Sequence, residues 1–198
     1  MSNIISKSYG TLDEAIMKGV NASVRAYNWT TGKTKADLAN KLLTVAPIFE
    51  SAGFIGMGYN NLFNLGTAIC MSGFYMFISH HNQRDNKEME VVEQRALENS
   101  CLDFKVESWK NSAVFVGPMW VISGSCNGYF GMTRSDGLSS TNYLIAFGNL
   151  VRSASFYVMR ADYFPPRKSA IKKGLEKLAE IAESYKAPQI QPVPVPAG

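Results

Sequence analysis

Apolar positions recur at helical spacing along most of the chain, and three longer stretches between the polar segments carry almost no charge. In residues 11–27, Leu12, Ala15, Ile16, Val20 and Val24 fall three or four apart, behind Thr11 as an N-cap and Asp13 and Glu14 in a first turn. This spacing predicts an amphipathic helix. Asn28 to Gly32 carries turn chemistry. Thr34 then opens a second helix, Lys35 to about Glu50, with Leu38, Leu42, Leu43 and Val45 on its stripe and Pro47 expected to kink it or end it early.

From Gly53 to Ser79 no residue is charged, and the next charge is Arg84. A span needs about 20 mostly apolar residues to cross roughly 30 Å of hydrocarbon. Residues 60–79 are a marginal candidate, since Asn60, Asn61 and Asn64 are costly against lipid and need another helix or an interface. Residues 80–112 form a polar interval in which Met89, Val92, Leu97, Cys101 and Phe104 suggest one amphipathic helix. A second uncharged stretch, with a candidate span at 113–130, contains Gly117-Pro118 and the small residues Gly124, Gly128 and Gly131. Val114, Val116, Val121 and Ile122 favour a strand there, but its length exceeds the usual 5 to 6 residues of a strand and favours a Pro-kinked helix.

Arg134 to Thr141 reads as a turn. The third apolar stretch, 142–164, is interrupted by Arg152 and stopped by Pro165-Pro166, with Arg167 and Lys168 as basic anchors behind it. Ser169 to Lys186 is a last amphipathic helix, with Ile171, Leu175, Leu178 and Ile181 on a narrow stripe, and the Pro/Val alternation after it favours polyproline II. The expected fold is mainly α. It is a helical bundle with two or three weakly hydrophobic long helices as candidate membrane spans, amphipathic N-terminal helices, and a C-terminal amphipathic helix with a Pro-rich tail. The corresponding regions are 1–52, 53–164, 165–186 and 187–198.

Composition sharpens this picture. Charged residues make up 18% of the 198 residues, where about 25% is usual, while hydrophobic residues reach 46%. The net charge of +4 is spread along the chain without basic runs, so no nucleic-acid partner is expected. Cys70, Cys101 and Cys126 are odd in number and far apart, which suits reduced thiols, and the first 25 residues lack the apolar region of a cleavable secretory signal. His80, His81 and Asp85 lie close together without a third ligand at a diagnostic spacing, so no metal is expected. The glycine-rich pieces GFIGMG and GSCNGYFG lack the Lys-Ser/Thr of a phosphate loop and the strand–helix setting of a dinucleotide fingerprint, so no cofactor is expected either. Gly124 and Gly128 instead have the small-xxx-small spacing of closely packed helices. Asn21-Ala22-Ser23 and Asn28-Trp29-Thr30 match glycosylation sequons by chance.

Arg152 is the most informative charge. It shares a helical face with Asn149, Ser153 and Ser155, and inside an apolar environment it must face the bundle interior or a partner subunit, with Glu50 as the only acid bordering the first apolar stretch. Arg152, Asn149, Gly124, Gly128 and Glu50 are therefore the candidate interaction residues. The expected function is a non-catalytic structural or assembly subunit of a membrane-associated complex, with itself, other subunits and a lipid membrane as partners. The alternatives are a soluble helical self-assembling or interaction module and, least supported, an enzyme, because no acid–base, nucleophile or metal constellation stands out. In arrangement alone, without a motif, the layout resembles small multi-span subunits of secretion and conjugation machines and membrane-associated virion proteins.

Overall fold

The computed structural model describes residues 2–58, 62–98, 104–133 and 139–184, at 2–10, 12, 62–63 and 104–105 by backbone alone. Among these residues there are six α-helices and no strand: α1 (Ser2–Thr31), α2 (Lys35–Gly58), α3 (Leu62–Glu98), α4 (Phe104–Thr133), α5 (Ser139–Arg160) and α6 (Ala170–Ser184). The mainly helical expectation holds, and 113–130 is helix rather than strand.

Several boundaries move, each for a local reason. α1 begins upstream of Thr11, which is therefore an interior residue and not a cap, and it continues through the expected turn at Asn28 to Thr31. It ends at Gly32, whose φ of 77° suits a residue without Cβ. A Cβ there would also lie 2.0 Å from the Arg167 carbonyl oxygen, so the crossing of the α1–α2 turn by the segment after α5 depends on this glycine. α2 does not end at Pro47 but runs to Gly58, and α4 likewise passes through Pro118, because burial on a packed face outweighs one missing N–H donor. The polar interval is not a helix of its own. Its first part continues α3, supported by the i,i+4 pairs Arg84–Glu88 and Gln94–Glu98, and its last part opens α4. α5 stops at Arg160, before Pro165, where the Ala161 N–H closes a tighter turn onto the Val158 carbonyl at 3.1 Å. The turn at 134–138, the start of the first apolar stretch at 59–61, Cys101 and the Pro-rich tail lie outside the described residues.

α2 to α5 form an up-down-up-down four-helix bundle. Phe54 meets Tyr75, Thr44 meets Gln83 and Asn40 meets Asn86, which fixes α2 antiparallel to α3. α5 runs antiparallel to both α2 and α4 and packs extensively on each, while α3 and α4 touch lightly. Small residues make these approaches close: a Cβ on Gly148 would meet Glu50 Cγ at 2.5 Å and the Ala46 carbonyl at 2.9 Å, and one on Gly53 would meet Ile145 at 2.5 Å. The α4–α5 contact uses Gly117, Gly124 and Gly131, seven residues apart, facing Tyr157, Ala146 and Tyr143.

The two ends of the bundle differ. At the end where α1 docks, Val24, Ala36, Ala39, Val158, Met159 and Ala161 form an apolar core, with Met17, Val20, Leu42, Met89 and Trp109 packed around it. α1 is held there by a bidentate Arg160–Asp13 pair at 2.8 Å, by Asn21 accepting the Asp162 N–H, and by Arg25 over the Phe164 ring. At the opposite end the uncharged segments of α2 to α5 surround an interior in which Ser51, Ser72, Asn142 and Asn149 are buried beside Ala68, Ile145 and Ala146. None of the helices is long and apolar enough to cross a membrane. The candidate spans at 60–79, 113–130 and 142–164 are therefore not supported as membrane-crossing helices, because residues such as Ser72, Ser79, Asn149 and Arg152 lower their hydropathy.

Gly148→Ala should push α5 off α2 and cost about 1–3 kcal/mol by overpacking, whereas Gly73→Ala, with nothing within 4 Å of its Cβ, should stabilise by about 0.5–1 kcal/mol. Comparing denaturant midpoints of the two variants checks the assignment of close contacts.

Arg160, chiefly by hydrogen bonding, holds the Asp13 carboxyl below its usual value of 3.8. Its contribution to α1 docking is complete above that value and lost as pH falls through the lower folded one. Protection against hydrogen exchange, measured relative to the intrinsic rate at each pH, should therefore fall in α1 on acidification before it falls in α2. Asp13→Asn should remove this difference.

Candidate functional site

On α2, residues 35, 39, 43, 46 and 50 recur every three or four positions and all are buried. The middle three are Ala39, Leu43 and Ala46, but the ends are Lys35 and Glu50, so one helix face carries a cation and an acid into the interior. On α5 the corresponding stripe is Asn142, Ile145, Asn149 and Arg152, with Ser153 and Ser155 beside it. The largest fully buried side chains are Arg152, Lys35, Leu43, Glu50, Val24, Asn149, Ser153 and Ser155, and only two of these are apolar.

Arg152 and Glu50 meet where all four bundle helices converge. Arg152 Nε donates to Glu50 Oε1 at 2.9 Å and Nη2 donates to Glu50 Oε2, so α5 and α2 share a bidentate ion pair with both side chains at 0% exposure. From α3, Ser79 Oγ accepts the Nη1 proton at 2.8 Å, and the Tyr75 carbonyl lies 3.4 Å from Nη2. The guanidinium stacks over the rings of Tyr75 at 5.2 Å and Trp120 of α4 at 5.0 Å, which are edge-to-face with one another. Burial pushes the Glu50 carboxyl up, against the pull of Arg152.

Asn149 lies one turn towards the uncharged end. Its Nδ2 donates to Ser123 Oγ of α4 at 3.0 Å, while Oδ1 has no protein partner. Ser153 Oγ donates to the Gly117 carbonyl at 2.8 Å, tying α5 to α4 beside Pro118. Of the two candidate glycines, Gly124 sits at the α4–α5 crossing, with the Ala146 carbonyl 3.0 Å from where its Cβ would be. Gly128 meets only the Ala146 Cβ at 4.0 Å and lines an open apolar groove with Tyr129, Met132, Tyr143 and Phe147. Arg152, Asn149, Glu50 and Gly124 thus come together around α5, and Gly128 stands apart at the surface.

A second polar clasp lies at the other end of the core. Lys35 Nζ of α2 donates to Glu93 of α3 at 2.9 Å and to the Ala161 carbonyl after α5 at 2.6 Å, and Lys110 of α4 reaches the same Glu93 at 2.9 Å. Burial pushes the Lys35 ammonium down from its ordinary value, against the pull of Glu93. Charge alone does not reveal this cluster in the sequence, because Glu93 and Lys110 lie in a polar interval that looks solvated. The one available signal was the register of Lys35 on the Ala39–Leu43–Ala46 stripe.

The outward face of the uncharged half carries large apolar side chains, with Asn64, Thr67 and Ser125 among them. Phe74 and Phe77 of α3, Phe115 and Ile122 of α4 and Phe147 of α5 are exposed, as is Ile48 of α2, with Phe115 at 77% and Phe77 at 69%. Cys70 and Cys126 are exposed on the same surfaces. His80 and His81 stand exposed at its border, with His81 3.6 Å from Asp85, and no group of three or more metal-ligating side chains occurs among the described residues. Asn28 is buried, with its amide nitrogen donating to the Lys33 and Pro165 carbonyls, so this sequon is closed to a glycan in the folded chain. No family model, no curated protein and no solved structure matches the chain.

Arg152→Leu should destabilise the fold by about 3–5 kcal/mol, because it leaves Glu50 buried without a counter-charge. Pairing it with Glu50→Leu should recover most of that loss in denaturant unfolding. If the single and double variants unfold alike, the ion pair does not hold the four helices together.

Proposed function

We propose that the chain is a non-catalytic assembly subunit of a membrane-associated complex, with the uncharged half of its bundle bedded in lipid. One observation supports this above the others: in that half Glu50, Ser72, Ser79, Asn142, Asn149 and Arg152 are buried, while large apolar side chains stand exposed on all four helices, among them Ile48, Phe77, Phe115 and Phe147. Water favours the opposite arrangement, and exposed apolar patches of this extent mark interaction surfaces. A single partner copy covers one side of a bundle, whereas lipid covers every side.

The reading concerns the outward faces of a bundle rather than the crossing of any one helix. From Leu62 to Ser79 the uncharged part of α3 is about 27 Å long at 1.5 Å per residue, against roughly 30 Å of hydrocarbon. Polar residues facing one another inside such a bundle are the usual way that lipid-exposed proteins accommodate charge. Glu50 and Arg152 are fully enclosed, which suits a structural clasp rather than a site open to substrate. The second reading is a soluble assembly in which other protein chains cover the same faces, and the exposed Asn64, Thr67 and Ser125 on those faces favour it.

Carbonate extraction of membranes from expressing cells separates the two. The parent chain is expected in the membrane pellet. Replacing Phe74, Phe115 and Phe147 by Lys, each costing about 2.5–3.5 kcal/mol if central in hydrocarbon, should move it to the supernatant with its helix content unchanged. Quantitative release of the parent chain by carbonate, as a large soluble oligomer, would favour the second reading.

A further inference from the structure

α6 is set apart from the rest of the fold. None of its residues is buried, and its apolar stripe of Ile171, Leu175, Leu178 and Ile181 lies 52% to 63% exposed. The helix is nevertheless well specified. Ser169 caps it by accepting the Lys172 N–H at 3.3 Å while its hydroxyl donates to the Thr30 carbonyl, and the Arg167 N–H donates to the Gly32 carbonyl at 3.0 Å, so its start is pinned to the end of α1. The bundle thus holds the first turn in place and leaves the apolar face without a partner among the described residues.

The charge pattern around that face says what covers it. At 3.6 residues per turn, Lys177 borders the stripe on one side and Lys172, with Glu183 behind it, on the other, while Glu176 and Glu180 fall on the opposite side of the helix. Arg167, Lys168 and Lys173 add to the basic start, so residues 167–177 carry five cations and one acid. Trp29, itself 58% exposed, lines a surface recess with Arg167, Lys168, Lys173 and Lys177. Apolar centre, a lysine on each margin, two of the three acids opposite the contact and an aromatic ring among the cations are what an anionic lipid surface selects in a helix lying in its plane. A paired copy of α6 lacks this logic, because its fifteen residues provide about two heptads, short of a stable coiled coil.

We propose that α6 is an interfacial helix that binds the surface of an anionic bilayer, laying Ile171, Leu175, Leu178 and Ile181 into the headgroup boundary with Lys172 and Lys177 on lipid phosphates or carboxylates. This rests on the membrane reading above and adds to it a second, salt-dependent contact with a different lipid requirement. The uncharged half of the bundle needs only hydrocarbon. α6 needs negative charge.

Flotation of the full-length chain with phosphatidylcholine vesicles, and with phosphatidylcholine vesicles containing phosphatidylserine, separates these contacts. Phosphatidylserine should strengthen binding at least about tenfold at low salt, and the gain should vanish at high salt. The Lys172→Glu/Lys173→Glu/Lys177→Glu variant should lose that gain and still bind neutral vesicles through the bundle. Leu175→Ser/Leu178→Ser should weaken binding to the anionic vesicles alone. A phosphatidylserine gain that survives the three lysine replacements overturns the proposal. So does a leucine variant that loses self-association yet binds anionic vesicles as the parent does, since the face would then belong to a second copy. Binding to anionic vesicles only supports α6 and counts against the bundle reading, and binding to both vesicle types equally does the reverse.

Discussion

A guanidinium removed from water must find a partner for each of its donors, and the geometry of the bundle follows from meeting that requirement at Arg152. One acid supplies two acceptors, but the remaining donors need a hydroxyl and a carbonyl, and the ring faces need aromatic neighbours. No single helix offers all of these. Glu50 comes from α2, Ser79 and the Tyr75 carbonyl from α3, and Trp120 from α4, so satisfying one side chain of α5 fixes the relative depth of all four helices. The small residues are the counterpart of this demand. Gly148 lets Glu50 pass α5 closely enough to reach Arg152 one turn on, and Gly124 and Gly117 let α4 approach from the other side. Buried ion pairs add little net stability against well-packed apolar residues, but they penalise every register in which the partners miss each other. Specificity of assembly is the role that suits Glu50 and Arg152.

The second clasp repeats this logic at the other end of the core. Lys35, Glu93 and Lys110 draw together α2, α3 and α4, and the Ala161 carbonyl adds the end of α5. Between the two clasps the interior is built mainly from Ala39, Leu43, Ala46 and Val158, with the buried Ser153, Ser155 and Asn86 beside them, and α1 closes its open side through Val24. Beyond the Arg152 clasp Ser72, Asn142 and Asn149 enter the interior beside Ala68, Ile145 and Ala146, and large apolar side chains such as Phe74, Phe130 and Phe147 move to the exterior. The bundle is therefore conventional where it carries α1 and inverted where it does not, and Glu50–Arg152 marks the change.

Part of this was legible in the sequence. Arg152 could be placed on one face with Asn149, Ser153 and Ser155 by helical period alone, and Glu50 was the only acid bordering the first apolar stretch. Gly124 was recognisable by its spacing from Gly128, although only the first of the two lies at a helix crossing. Other features could not be read in the same way. Thr11 looked like a cap because Asp13 and Glu14 follow it, but Asp13 answers to Arg160, which is distant in sequence. Pro47 looked like a kink or an early end because local rules omit the tertiary packing that keeps a helix intact around one missing donor, whereas Pro118 was expected inside a helix and lies in one. Glu93 and Lys110 looked solvated because a window of sequence cannot tell a charge facing water from one facing a lysine on another helix. Mean hydropathy fails for the same reason: it averages Asn149 with Phe147, although one is enclosed and the other is half exposed.

The central claim is that the inverted half lies in an apolar phase, and the chain carries its own reporters there. Cys70 of α3 and Cys126 of α4 are both exposed on that half. With Cys101 replaced by Ser, the two thiols can be challenged with a membrane-impermeant maleimide in the vesicle-reconstituted chain, before and after detergent is added. The account predicts that both cysteines are protected in vesicles and react only once detergent opens the bilayer, while a cysteine introduced at Ser23 of α1 reacts throughout. Equal and rapid labelling of Cys70, Cys126 and the introduced cysteine in intact vesicles would contradict it.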